Sequence, residues 1–403
     1  MPPAEGLRQS NRWTILALLF ASITINLLDR QVLSVMAPLI IRDLSLTASQ
    51  YSYIVFAFTL GLTLAQVPAG MWIDRRGARL GLPVIMAVWS CANALHALAR
   101  SVWHFCAFRF LLGIGECGNY SAGVKVIAQR FPPEERALAG GLFNSGSVIG
   151  ALIAPALLVA ISRDFGWRAA FVLPSILGLC WIVPWLLVFR ESTPLAGPAT
   201  LHFAPLLRFR QTWGVMLMRA LAGPVIHFYW YWLPEYLKRE RHFSMDAIGA
   251  LGGIPFLFAG IGNIAGGAFA AAAMRRGWSA DRTRKTGFVL ASILCATSML
   301  VPFAPGEGAP LALICVATFG LASMVANNIG TVTDVFHPSE MAAVMGLTGF
   351  AEGILNMAFT LATGHVVDRF SFLPVFVAAG FMPAMATLAL FTLVRRVEPL
   401  RHA

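Results

Sequence analysis

Charged residues are scarce in this chain of 403 residues. They make up 12% of the sequence while 58% of it is hydrophobic, whereas a soluble domain carries about 25% charged residues. This shortage of charge excludes an ordinary soluble fold. A membrane-spanning helix needs about 20 apolar residues, so there is room for roughly a dozen spans with short connections. A large soluble domain does not fit.

Clustered cysteines and catalytic constellations are also absent from the sequence. Six cysteines stand singly in apolar stretches, with no Cys-x-x-Cys pair and no Cys/His cluster of metal-ligand spacing, so neither a disulfide framework nor a zinc site is indicated. A membrane-embedded enzyme would need a Ser/His pair or His/Glu metal ligands at a shared depth, and the sequence shows neither. A membrane sensor would be expected to carry a cytoplasmic output domain, and none fits between the predicted spans. We therefore expect no enzyme and no metal or organic cofactor.

Apolar runs of helical length predict twelve spans in two sets of six. The first run follows Arg8 and Arg12 as a signal peptide would, but it is too long for one and contains Asp29 and Arg30, so we expect a retained helix. The first set lies near 13–37, 51–73, 80–99, 103–126, 138–161 and 168–190, and the second near 212–234, 247–273, 286–304, 309–333, 342–366 and 372–394.

The net charge of +11 is distributed unevenly between alternate loops. Loops on the side of the termini hold roughly 18 Lys and Arg against roughly 8 on the other side. Alternation of this kind orients a protein in a bilayer, whereas a nucleic-acid patch would not require it. We therefore expect the lipid bilayer and no nucleic acid as a partner, and both termini in the cytoplasm.

Residues 131–142 recur at 336–347, at an offset of 205. The two copies match at Phe, Pro, Glu, Ala, Gly and Leu, and each lies between the fourth and fifth span of its set, where Pro near a helix start is tolerated. The repeat predicts two homologous six-helix bundles, 1–190 and 211–403. A cytoplasmic linker rich in Pro, Gly and Thr joins them over 191–210.

The loop after the second span reads Gly70-Met-Trp-Ile-Asp74-Arg75-Arg76-Gly77-Ala78-Arg79, and here the chain resembles the major facilitator superfamily. The resemblance implies an all-α integral membrane fold of 12 transmembrane helices in two pseudo-symmetric bundles, with a midplane substrate site that opens to either side in turn. It also implies an inner gate formed by Gly70, Asp74, Arg75, Gly77 and Arg79. The second-half loop from Arg275 lacks the Asp in register.

Five charges inside predicted spans are the main candidates for function. An ionised side chain at mid-bilayer costs about 2.5 to 3.5 kcal/mol on insertion scales, so it should be retained only for a use. Arg109 and Glu116 are seven residues apart, nearly two helical turns, and share a face about 10 Å apart along the axis. The five are Asp29 and Arg30 in the first span, Arg109 and Glu116 in the fourth, and Arg219 in the seventh.

Arginines and acids predict complementary roles. A guanidinium binds a carboxylate through two parallel hydrogen bonds, so Arg30, Arg109 and Arg219 facing a common cavity would bind an anion. Partial desolvation favours the protonated acid, which makes Asp29 and Glu116 candidate proton carriers. If a substrate carboxylate and Glu116 compete for Arg109, binding of one charge favours protonation of the other. The alternative is a permanent ion pair that only holds helices together.

The segments Asn26-Leu-Leu-Asp29-Arg30-Gln31 and Arg109-Phe-Leu-Leu-Gly-Ile-Gly-Glu116 resemble the anion:cation symporter family, which includes bacterial hexuronate, galactonate and glucarate carriers. The resemblance implies that Arg30 and Arg109 serve the substrate or coupling and that Asp29 and Glu116 are protonation sites. Two positions depart from the pattern. Leu62 stands where related carriers have Tyr, and Ser147 stands where galactonate carriers have Gln. Both changes would remove partners for sugar hydroxyls, so a less hydroxylated carboxylate remains an alternative substrate.

Other polar residues in the spans complete the set of substrate-binding candidates. His227 and Tyr231 could contact substrate or sit among interfacial aromatics, and the asparagines could line the second-half wall or bridge helices. These further candidates are Ser147, His227, Tyr231, Asn263, Asn327 and Asn328.

Together these features predict a monomeric, multi-pass inner-membrane symporter that carries a hexuronate or related organic anion with a proton as the coupling ion. The alternatives are a drug/proton antiporter, a carrier of aromatic acids or monocarboxylates, and a membrane sensor that does not transport. The Gly-x-x-x-Gly-Pro pattern of drug antiporters is absent, because Ala151 follows Gly146-Ser-Val-Ile-Gly150. Three intramembrane arginines also suit an anion better than a lipophilic cation.

Overall fold

A computed structural model describes residues 11–190, 205–337 and 340–400. These residues form helices and turns, with no β-strand among them. Residues 191–204 of the predicted linker lie outside the described residues, as do the side chains of Val67, Asp74, Pro133, Ala137 and Ala342.

The helices follow the predicted apolar runs closely. Serine side chains start several of them: Ser101, Ser244 and Ser279 each accept a hydrogen bond from a backbone N–H in the first turn, which satisfies a donor that the helix itself leaves unpaired. In the first half the helices are α1 Arg12–Asp43, α2 Ala48–Arg76, α3 Ala78–Leu95, α4 Val102–Glu116, α5 Asn119–Arg130, α6 Pro133–Phe165 and α7 Ala169–Val188. In the second half they are α8 Arg210–Arg239, α9 Met245–Leu251, α10 Ile254–Arg275, α11 Ala280–Cys295, α12 Gly308–Val335, α13 Met341–Arg369 and α14 Leu373–Ala389.

Ten helical segments of the described chain are long and apolar enough to cross a membrane. The predicted spans 103–126 and 212–234 are not among them. The first is divided into α4 and α5, because the α-helix ends at Glu116 and a turn follows at Cys117 and Gly118. The second lies within α8, whose 30 residues include charged and polar side chains that lower its hydropathy. For these two segments the count of twelve stays a prediction.

Two compact units make up the chain. Among the described residues, the first unit contains 11–46, 53–190 and 237–253, and the second contains 47–52, 205–236 and 254–400. In the first unit α1 packs on α6 and α7, and α3 packs on α4 and α7; in the second unit α12 packs on α10 and α11, and α14 packs on α11. The predicted bundle limits 1–190 and 211–403 stay predictions.

Glycines allow α2 and α4 of the first unit to touch through their backbones. A Cβ atom added at Gly113 would lie 2.3 Å from the carbonyl oxygen of Phe58, and one added at Gly61 would lie 2.3 Å from that of Phe110. Because the obstructing atoms are backbone, no side-chain rotation can relieve the overlap. The contact brings Phe58 of α2 beside the charged face of α4.

Substitution of Gly113 by Ala is therefore expected to separate α2 from α4. Overpacking of this kind costs about 1 to 3 kcal/mol, which should lower the thermal midpoint of the detergent-purified protein and its monodisperse yield. Gly141→Ala in α6 is the matched control, because a Cβ atom there meets nothing within 4 Å. Equal thermal midpoints for the two variants would contradict the close contact.

Candidate functional site

Four of the five predicted charges meet inside the first unit. Asp29 and Arg30 come from the middle of α1, and Arg109 and Glu116 come from α4. Asp29 and Arg109 are 0% exposed and Glu116 is 2% exposed, whereas one fifth of the Arg30 side chain is exposed. Because buried charges are stable only when they are compensated, this cluster is the main polar feature of the unit.

The Arg30 guanidinium forms an ion pair with Glu116, donating from Nε to Oε2. The aromatic ring of Phe58 in α2 supports both arginines, with the guanidinium carbons of Arg30 and Arg109 at 5.4 and 5.6 Å from the ring centroid. These distances are within the cation–π range, which is worth more in a desolvated site than in water. The Phe58 ring thus holds two cations near one another and near Glu116.

Asp29 is held by the side-chain amide of Asn93 in α3. The Asn93 Nδ2 atom donates to Asp29 Oδ1 at 2.9 Å and also contacts the Phe171 carbonyl oxygen and Ser175 Oγ, each at 3.2 Å. These bonds connect α1, α3 and α7. Because Asn93 is neutral, this hydrogen bond holds Asp29 in place without cancelling its charge.

The partner of Glu116 differs from the expected one. The sequence favoured competition at Arg109, but the contacting guanidinium in the structure belongs to Arg30. The reason is geometric, because seven residues of one helix correspond to a rise of about 10 Å, which separates Arg109 from Glu116, while Arg30 approaches from α1. Arg109 still acts on Glu116 and on Asp29 through electrostatic attraction.

The formal charges of this cluster cancel. Two arginines balance two acids, and the acids also repel one another. A substrate carboxylate entering beside Arg30 or Arg109 would add one uncompensated negative charge in a region of low dielectric constant. Protonation of one acid would restore neutrality.

The second unit contains a separate ion pair on α8 and α13. Arg219 Nε donates to Glu352 Oε2 at 2.6 Å, and both side chains are partly exposed. Arg219 was a predicted substrate ligand, and the structure pairs it with an acid of α13. A further pair joins α11 to α12, where Arg284 donates to Asp334 at 2.8 Å and to the Asn327 amide oxygen at 3.4 Å.

Comparison with known proteins identifies the family. The Major Facilitator Superfamily model matches residues 19–360. The chain belongs to this superfamily. The hexuronate transporter of Escherichia coli K12 is 27% identical over 406 residues, covering 95% of this chain and 94% of the relative. The hexuronate transporter of Bacillus subtilis 168 is 29% identical over 404 residues, covering 95% of this chain and 94% of the relative.

The fold is also shared with a solved structure. The inward-facing, occupied form of a bacterial homologue of the human lysosomal transporter Spinster superposes with a TM-score of 0.81 at 19% identity, covering 96% of this chain and 97% of that one. These findings confirm the predicted superfamily and the all-α membrane fold. The chain is a multi-pass membrane transporter and not an enzyme.

The other predicted substrate residues of this superfamily member lie in varied surroundings. Ser147 Oγ donates to the Asn144 carbonyl oxygen within its own helix. His227 Nδ1 lies 2.9 Å from the Gly223 carbonyl oxygen, and the Tyr231 carbonyl accepts from the Tyr51 hydroxyl. Their substrate roles stay predictions, as do those of the remaining asparagines. Asn263 is exposed, and Asn327 and Asn328 are buried.

The predicted gate surrounds the connection between α2 and α3. Gly77 adopts φ +77°, a left-handed conformation that strongly favours glycine, and Gly277 in the second-half loop adopts φ +82°. Both loops therefore need a glycine to reverse the chain between helices. Arg75 and Arg79 are exposed and Gly70 is half-buried. The Asp74 side chain is not among those described, so the gate contact stays a prediction.

Several residues of the site were missed by the sequence reasoning. Phe58 and Asn93 hold the charged side chains in the first unit, and Asp334 pairs with Arg284 in the second. A polar Asn93 inside an apolar run was a usable signal, since such residues seek a partner in a membrane. No comparable signal marks Phe58 among the 29 phenylalanines of the chain.

Proposed function

We propose that this transporter carries a small sugar acid of the hexuronate type together with a proton. The relatives named hexuronate transporters supply the substrate class. The observation that carries the coupling is the buried cluster of Asp29, Arg30, Arg109 and Glu116, whose formal charges cancel before substrate binds. We further propose a monomer in the inner membrane and, on the loop-charge asymmetry, both termini in the cytoplasm.

The first step in this proposal is recognition of the substrate carboxylate. Arg30 is partly exposed while Arg109 is fully buried, so the carboxylate meets Arg30 first and displaces Glu116 from it. A guanidinium offers several N–H donors in a fixed plane, which suits a carboxylate. Arg109 adds positive potential from behind, and the Phe58 ring keeps both guanidinium groups in place.

The second step is proton uptake. Glu116 displaced from Arg30 becomes a buried carboxylate without a contacting cation, which is costly at low dielectric constant. Taking a proton removes that cost, so anion and proton bind cooperatively. Asp29, held by Asn93 and close enough to Glu116 for the two acids to repel each other, is the second acid that can take part. When the proton is released, Glu116 pairs with Arg30 again and the anion dissociates.

A proteoliposome assay tests the proposal. Purified protein is reconstituted, an inward proton gradient is imposed, and uptake is measured for uronates, aldonates, aromatic acids and short monocarboxylates. We expect gradient-driven accumulation of a uronate, abolished by a protonophore. Accumulation that does not depend on the proton gradient would contradict proton coupling, and failure to take up any sugar acid would contradict the proposed substrate class.

A second candidate is a carrier of less hydroxylated acids. Leu62 replaces a Tyr of related carriers, and the Ser147 hydroxyl is occupied by the Asn144 carbonyl oxygen of its own helix. Both features reduce the partners available to sugar hydroxyls. Preferential uptake of an aromatic acid or a short monocarboxylate in the same panel would favour this candidate over a hexuronate.

A further inference from the structure

The Arg219–Glu352 pair lies deep within two long helices of the second unit. Arg219 is about 14 Å from the start of α8 and Glu352 about 17 Å from the start of α13, at 1.5 Å per residue. Both positions are therefore more than two turns from the helix starts and lie within the predicted spans 212–234 and 342–366. The side chains remain partly accessible, at 24% for Arg219 and 13% for Glu352.

Partial exposure at this depth has a specific meaning. Charged groups in contact with lipid are strongly disfavoured, so those found at mid-depth face a protein interior or a water-filled cavity. A pair that serves only to hold helices together gains nothing from exposure. The accessible edge of the Arg219–Glu352 pair can therefore meet a polar solute.

The α8 backbone is shaped to receive the carboxylate. A Cβ atom at Gly223 would lie 2.4 Å from both Cγ and Oε1 of Glu352, so the absence of a side chain at Gly223 leaves the space that Glu352 fills. Arg219 and Gly223 are four residues apart and lie on one face of α8. The position of Glu352 is thus set by a glycine and an arginine on successive turns.

The internal repeat relates Glu352 to a predicted substrate position. The offset of 205 that superimposes residues 131–142 on 336–347 carries Ser147 of α6 onto Glu352 of α13. Ser147 follows its copy of the repeated segment in α6, and Glu352 follows its copy in α13. A position expected to contact substrate in the first half is therefore occupied in the second half by a carboxylate whose charge Arg219 cancels.

We propose that the Arg219–Glu352 pair makes the carrier select substrates with one carboxylate and discriminate against those with two. This inference rests on the proposed sugar-acid transport. A substrate group that reaches the Arg219–Glu352 pair meets no net charge: hydroxyls can hydrogen-bond to the pair, but a second carboxylate must displace Glu352 and is repelled by it. Arg219 alone would attract that carboxylate, so Glu352 is the residue that excludes it.

The test compares D-galacturonate with galactarate, which differ by a second terminal carboxylate. Competition by each against labelled galacturonate is measured in proteoliposomes, and the ratio of the two inhibition constants is the readout because it does not depend on the amount of active protein. We expect Glu352→Gln to lower the inhibition constant of galactarate relative to that of galacturonate by about tenfold. This change corresponds to about 1.4 kcal/mol, close to the lower end of the contribution of a hydrogen bond to a charged group. Glu352→Ser, which installs the residue of the related position 147, should act in the same direction.

Charge rather than shape is isolated by two further variants. Arg219→Gln leaves the charge of Glu352 uncompensated and should weaken inhibition by galactarate further. The double variant Arg219→Gln/Glu352→Gln is neutral again and should return to the wild-type ratio of inhibition constants. Glu307→Gln, an exposed acid before α12, is the control. An unchanged ratio in Glu352→Gln, or a double variant that resembles it, would overturn the inference.

The outcome is separable from that of the proposed function. Wild-type protein that takes up no uronate contradicts sugar-acid transport itself. Wild-type protein that takes up galacturonate, together with an unchanged ratio in Glu352→Gln, contradicts only the discrimination against a second carboxylate.

Discussion

Replacement of Arg109 by Ala is expected to abolish substrate binding. Arg109 is fully buried and acts electrostatically on Asp29 and Glu116, so its loss leaves two acids facing a single remaining arginine. Removing one partner of a buried charge set costs about 3 to 5 kcal/mol. An incoming carboxylate then meets net negative charge, and its affinity should fall by roughly a hundredfold or more. Equilibrium binding of galacturonate to the purified protein measures the effect.

Arg109→Lys separates charge from shape. A lysine keeps the positive charge but lacks the planar fork of donors, so we expect binding intermediate between wild type and Arg109→Ala. Arg168→Ala is the control, since Arg168 is about half exposed and pairs with Asp43 at 3.4 Å, an interaction worth about 0 to 1 kcal/mol. Normal affinity in a folded Arg109→Ala protein would show that this arginine does not attract the anion.

Glu116→Gln is expected to retain exchange but to lose accumulation. Glutamine resembles the protonated acid in shape and charge, so Arg30 is permanently available to a substrate carboxylate. Substrate can still cross in either direction, and counterflow of labelled for unlabelled galacturonate should persist. The variant cannot release a proton, so a proton gradient should no longer drive uptake, and accumulation should fall to the level reached without a gradient. Parallel counterflow and gradient-driven assays measure the two activities.

The control for this variant is Glu135→Gln. Glu135 pairs with Arg12 at 3.1 Å with a third of its side chain exposed, and neutralising it should leave both activities intact. Gradient-driven accumulation retained by Glu116→Gln would reject the coupling role of Glu116. If Asp29→Asn then lost accumulation, the coupling would belong to the acid that Asn93 holds.

The positions of the membrane helices could be predicted because hydropathy is a local property. The predicted span 168–190 corresponds to α7 Ala169–Val188, and the span 80–99 corresponds to α3 Ala78–Leu95 with its following turn His96–Leu98. The candidate charges could also be found from sequence, since an ionised side chain in an apolar run is conspicuous at any position. The interruption between α4 and α5 was not visible, because Cys117 and Gly118 lie in a segment that reads as continuous.

Sequence alone thus determined the membrane class, most helix positions, the repeat and the charged residues, because each of them can be read from the order of residues along the chain. The tertiary structure decided which charges pair. Glu116 contacts Arg30 rather than Arg109, Asn93 holds Asp29, and Arg219 meets Glu352. These pairings depend on the rotation and separation of helices that are distant in sequence, and side-chain period along a single helix carries no information about which neighbour it will face.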